Sequence, residues 1–104
     1  MPRGPSIGPC ATCGRTMPLT FHHLVPRSQH KRSWCRKQFD RDARQQGIDV
    51  CRDCHSAFHR FATEVELARR YHTVEALLAH EDIGRFVRWV SRQSGRHRTA
   101  PRRR

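Results

Sequence analysis

Cys51-Arg52-Asp53-Cys54-His55-Ser56-Ala57-Phe58-His59 runs a C-x-x-C knuckle straight into two histidines four residues apart. On a helix, positions i and i+4 share one face about a turn from each other, so both imidazoles point the same way. This is the spacing by which two helical histidines chelate one ion. Upstream stand a second knuckle, Cys10-Ala11-Thr12-Cys13, and the adjacent pair His22-His23. Zinc thiolate sites take four ligands in a tetrahedron, and each C-x-x-C sets two sulfurs on one side of the ion. Cys10, Cys13, Cys51 and Cys54 supply the four ligands of a structural zinc site. Residues 14–50 between the two halves are longer than a zinc-ribbon spacing, so a segment carrying His22-His23 is inserted into the site. A redox role for either pair belongs with a βαβ pattern, which is absent.

The chain has 104 residues, room for one small domain with a modest core that benefits from a metal staple. Lys plus Arg total 21 against 9 acids, a net charge of +12, which draws the protein to polyanions and to nucleic acid first. A membrane partner is disfavoured, because no apolar run approaches a spanning length. Met1-Pro2-Arg3-Gly4-Pro5 has no apolar stretch of the signal-peptide kind. Paired knuckles without an export signal read as metal ligands in a reducing compartment, so a cytoplasmic location is expected. Cys35, the fifth cysteine, reads as a small half-buried residue.

Residues 1–9 read as a flexible leader rich in proline. The knuckle Cys10–Cys13 turns on Gly14. Leu19–Val25 reads as a short strand ending at Pro26, and Ile48–Val50 as a second. Between them Arg27–Gly47 is a long basic connection, helical around 35–46. A helix follows over Cys54–Phe61. Thr63-Glu64-Val65-Glu66 has the capping-box pattern of a fresh helix start, and Thr73 caps again. Ile83, Phe86, Val87 and Val90 repeat at i, i+3, i+4, i+7, predicting an amphipathic helix over 81–92. The tail 94–104 is basic, without an apolar cluster, and is expected to be disordered. His30, His72, His80 and His97 read as surface or packing residues, and Trp34 and Trp89 as core or lid aromatics.

Adjacent side chains of a strand point to opposite faces, so His22 and His23 serve one site only through a twist or a nearby loop. One can then ligate an ion while its neighbour stands free. A free imidazole of near-neutral pKa is suited to take a proton from water.

The pattern C-x-x-C, His22-His23-Leu24-Val25-Pro26-Arg27-Ser28, Cys51-x-x-Cys54-His55-x-x-x-His59 resembles that of the HNH endonucleases over about residues 10–60. The resemblance implies a small α+β fold: a ββα-metal finger stapled by the four-cysteine zinc and followed by C-terminal helices. Residues 10–93 would be one nuclease domain, with its motif core at 10–60 and a helical extension at 61–93. Members usually carry Asp-His at the first position, the acid on the metal and the histidine as general base. The His-His variant is similar to the colicin DNases, where two helical histidines complete the metal site. By that match His22, His55 and His59 hold a catalytic divalent ion, His23 is the base, and Arg27 contacts phosphate. The implied reaction is hydrolysis of a DNA phosphodiester to 5′-phosphate and 3′-hydroxyl ends. Magnesium is the usual ion of the family, whereas three imidazoles favour Mn, Co, Ni or Zn. The family's middle Asn, which orients the base, has no counterpart, since the chain contains no Asn. Gln46 stands nearest to its place, with Gln45 and Asp49 as the other candidates. The rival readings are a non-catalytic zinc-stabilised nucleic-acid-binding module and an inactive relative used as an adaptor. Monomer and homodimer both remain open.

Overall fold

The computed structural model describes residues 6–93. β2, Thr16–His23, is the centre of a three-stranded antiparallel sheet ordered β1-β2-β3. β1 is Ser6–Pro9 and β3 is Gly47–Cys51. The strand expected at Leu19–Val25 therefore starts earlier and stops at His23, although Leu24 N still donates to Gln46 O at 3.1 Å. β3 ends opposite Leu19, so one side of β2 is unpartnered at Pro18, where a residue without an N–H costs no ladder bond.

β1 corrects the reading of residues 6–9 as part of a flexible leader. The first knuckle is the turn of a hairpin: Cys10 N donates to Arg15 O at 2.9 Å and Gly14 N to Cys10 O at 3.0 Å. Gly14 takes φ 81°, a left-handed conformation that glycine adopts at no steric cost. Pairing Ser6 with Leu19 and Pro9 with Thr16 follows from that turn rather than from side-chain burial. The flexible leader expected at residues 1–5 and the disordered tail expected at 94–104 lie outside the described residues.

The basic connection is not one helix over 35–46. It is a 3-10 turn at Arg27–Gln29, α1 at Ser33–Gln38 and α2 at Arg41–Gln45. Phe39 is extended, and the Asp40 carboxylate accepts from Ala43 N at 2.8 Å, capping a new helix. α3 spans Arg52–Phe61 and begins two residues earlier than expected, directly after Cys51.

α4 is Glu64–Arg70, α5 Val74–Ala79 and α6 Glu81–Val90. Thr63 and Glu66 form the reciprocal capping box, with Glu66 N donating to Thr63 Oγ1 at 3.1 Å and Thr63 N to Glu66 Oε1 at 2.8 Å. His80, read from sequence as a surface or packing residue, caps α6 by accepting from Asp82 N and Ile83 N. Phe58, Leu67, Leu77, Ile83, Val87 and Val90 make the main core with Met17 and Val50. Fully burying each large one stabilises by about 1.5–3 kcal/mol. The core thus pins α3 across β2 and β3, so that the side of α3 carrying His55 and His59 lies against β2 beside His22. A second cluster joins Val25, Cys35 and Ala68, with Trp34 and Phe39 against it. Cys35 is fully buried rather than half-buried. Trp89 is 55% exposed, which removes it from the core.

Candidate metal centres and active site

The β1–β2 turn and the β3–α3 junction converge, bringing the sulfurs of Cys10, Cys13, Cys51 and Cys54 within 4.8 Å of one another. Cys13 Sγ and Cys51 Sγ are 3.8 Å apart. A tetrahedron with Zn–S arms of about 2.3 Å has edges of about 3.8 Å, so the spacing fits zinc. Backbone N–H groups point at the cluster: Cys51 N donates to Cys10 Sγ at 3.3 Å and Cys13 N at 3.5 Å. The sulfurs are close enough to share protons: hydrogen bonds from Cys51 and Cys54 hold the Cys10 thiol below its usual range, and the same bonds push theirs above it.

Arg15, which the sequence reading passed over, is buried against these sulfurs. Its Nε donates to Cys13 Sγ and its Nη2 to Cys51 Sγ, both at 3.4 Å, and Nη2 pairs with Asp53 at 3.1 Å. Burial opposes the charge, but these bonds outweigh it and hold the guanidinium above its usual range. Four thiolates on a divalent ion leave two negative charges in a dry place, and a buried guanidinium offsets part of them. Only the proximity of Arg15 to its knuckle hinted at this.

On the face of β2 that meets α3, His22, His55 and His59 form a trio. Their ring centroids lie 5.1, 5.5 and 5.2 Å apart, and their donor nitrogens all fall within 4.8 Å. His22 is 1% exposed, and its Nε2 has no hydrogen-bond partner. Burial, then the neighbouring His55, His59 and His23, push its pKa down to about 3, so the ring is a neutral donor. A buried nitrogen without a hydrogen-bond partner, on a ring packed against two other imidazoles, fits a metal ion in a way that it fits no hydrogen-bonded core. Burial, followed by His59, also lowers the pKa of His55.

Thr20, two residues before His22 and so on the same face, sets the tautomer of His55. Its hydroxyl donates to Val50 O at 3.2 Å and lies 2.9 Å from His55 Nδ1. With that proton committed to Val50, the oxygen accepts from Nδ1–H, leaving the Nε2 lone pair of His55 for a ligand.

His23, the last residue of β2, leaves the opposite face. Its ring stands edge-on to Phe21 at 4.9 Å and lies 5.8 Å from His30. Burial, then the charges of His30 and Arg27, lower its pKa, which favours the neutral ring. His30, read from sequence as a surface or packing residue, is anchored through Nε2 to Val25 O at 2.6 Å. Gly47 sits opposite His23 in the register, and a Cβ there would overlap the Phe21 ring and lie 2.6 Å from His22 O. Its bare backbone makes room for the ring that braces His23. Arg27 is exposed beside this end of the strand. Gln46 pairs with Leu24 through its backbone, while its side chain is exposed and makes no hydrogen bond to His23. Gln45 is exposed as well, and Asp49 lies opposite Phe21, within the strand.

The sheet and helix thus bring together a four-sulfur cluster and a three-imidazole cluster, each able to hold a metal ion. Residues 10–66, more than half of the chain, match the family described as HNH endonuclease, and the chain belongs to that family. It is similar to the uncharacterized protein YisB of Bacillus subtilis (strain 168), 32% identical over 87 residues that cover 83% of this chain and 76% of that protein. No solved structure matches the chain. Among the described residues no helix is long and apolar enough to cross a membrane.

Proposed function

We propose that the protein is a metal-dependent endonuclease that hydrolyses DNA phosphodiester bonds. The observation that carries this is the buried, unpartnered Nε2 of His22 facing His55 and His59. Membership of the HNH endonucleases supports the reaction class. A divalent ion held by these three residues would supply counter-charge to the phosphorane and to the departing 3′ oxygen. Three imidazoles suit Mn, Co, Ni or Zn better than Mg, and the cysteine cluster suits a separate structural zinc.

His23 is the base. Its neutral ring, kept so by burial and by the adjacent charges, takes a proton from the attacking water. Phe21 holds the ring edge-on, and His30 lies on its other flank. Arg27, whose charge reaches His23, binds a non-bridging phosphate oxygen. The exposed side chain of Gln46 leaves the orienting role of the family's Asn to these neighbours. The same feature favours a second reading, a zinc-stabilised module that binds nucleic acid without cutting it.

Plasmid nicking across Mg, Mn, Ni and Zn, beside His23→Ala of verified zinc content, separates the two. Ion-dependent nicking that is lost in the variant supports the enzyme. Binding without nicking under every ion leaves the module.

A further inference from the structure

α1, α2 and the turn before them enclose an open cleft of about 450 Å³ lined by His30, Lys31, Arg36, Arg41, Arg44 and Gln45. Four of these residues carry permanent positive charge. Arg44 Nη1 is tied to Phe39 O at 3.0 Å, and among the described residues none of the four pairs with a carboxylate. Of the acids in this segment, Asp40 is occupied in capping α2, and Asp42 lies in its first turn. Like charges gathered around one space without a counter-ion repel each other, and an anion relieves that repulsion.

We propose that this cleft seats backbone phosphates of the DNA strand flanking the bond to be cut. Apart from the His30 ring, held to Val25 O and edge-on to His23, the lining is cationic and polar, so it grips charge rather than sequence. A cleft of this volume is roughly 9 Å across, room for about two successive phosphates of one strand. His30 both lines the cleft and meets His23, so a single polymer can occupy the cleft and present its next phosphate to the base. A mononucleotide is too short to do both. The inference rests on the proposed nuclease only for the position of the scissile bond; the binding it asserts is independent of cleavage.

The test is the salt dependence of duplex-oligonucleotide binding by the zinc-loaded full chain. Each phosphate contact contributes about 0.9 to the slope of log affinity against log salt. Arg36→Gln/Arg41→Gln should therefore lower that slope by about 2, and Lys31→Gln by about 1. Arg85→Gln, whose guanidinium already pairs with Glu81 and Asp82 on α6, should leave it unchanged. Hydrolysis of bis-p-nitrophenyl phosphate, too small to reach the cleft, should be equal in wild type and the double variant. An unchanged slope in zinc-loaded, folded double and single variants overturns the cleft. So does a mononucleotide that displaces the oligonucleotide at equal concentration. If wild type cuts neither DNA nor the small diester, the nuclease reading falls while the slopes still decide the cleft.

Discussion

Thr20→Val replaces a hydroxyl by a methyl of nearly the same volume at the centre of β2. The backbone ladder pairing Thr20 with Val50 is untouched, and valine is a good strand former, so fold stability should change by less than about 1 kcal/mol. What is lost is the oxygen 2.9 Å from His55 Nδ1. The half-buried ring then has no acceptor for that proton and no fixed orientation for Nε2. Losses of such supporting hydrogen bonds lower metal affinity by about 10–100-fold. On the free-energy scale that is about 1.4–2.7 kcal/mol. Titration calorimetry of nickel or manganese into zinc-loaded protein reads the difference directly, with Thr20→Ser as the variant that keeps the hydroxyl. The serine protein should bind as wild type does and the valine protein at least tenfold more weakly. If both variants bind the ion equally well, the Val50–Thr20–His55 chain does not set the tautomer, and the assignment of Nε2 as donor fails.

Removal of the structural metal by a strong chelator should unfold the described domain, read as loss of helical circular dichroism, because the cysteine cluster joins the β1–β2 turn to the start of α3. Zinc counting after thiol modification should release one equivalent from the cysteines. Arg15→Met removes a buried cation from beside two sulfurs and breaks its ion pair with Asp53. It should lower stability by about 3–5 kcal/mol in thermal denaturation, and a variant as stable as wild type would show that the cluster needs no such partner. Gly47→Ala should lower both nicking and ion affinity, since its Cβ meets the Phe21 ring that braces His23 and the backbone oxygen of His22; unchanged nicking would count against that brace. Thr63→Ala should cost about 1 kcal/mol of stability in denaturant unfolding, with DNA binding unaltered.

The four sulfurs and the histidines of α3 were legible because their geometry is local: a knuckle and an i, i+4 pair fix relative positions within one element. His22 joins them through the strand register, and the alternation of a strand already implied that only one of His22 and His23 could do so. Other features depend on cross-strand pairing that no single segment encodes. Ser6–Pro9, with Gly and Pro in four residues and Ile7 exposed, carries no strand pattern; the hairpin turn imposes its pairing. Thr20 looks like any strand threonine until Val50 and His55 are placed beside it. Arg15 is one of many cations in a +12 chain, and its burial follows from the cluster it neutralises. The break at Phe39 was hidden because both halves of the basic connection favour helix, and an aspartate cap with an aromatic anchor decides against one long run.

Cys51 is at once the last residue of β3, a member of the sulfur cluster and the residue from which α3 springs. The helix therefore has no freedom of phase: its rotation is locked at its first turn by the same anchor that ends the strand. Each helical residue advances the chain by about 100°. One residue inserted between Cys54 and His55 would turn both histidines a quarter-turn or more away from His22, with the sulfur cluster intact. Length variation in related chains should accordingly be absent from 51 to 59, where the count of residues is itself part of the machinery.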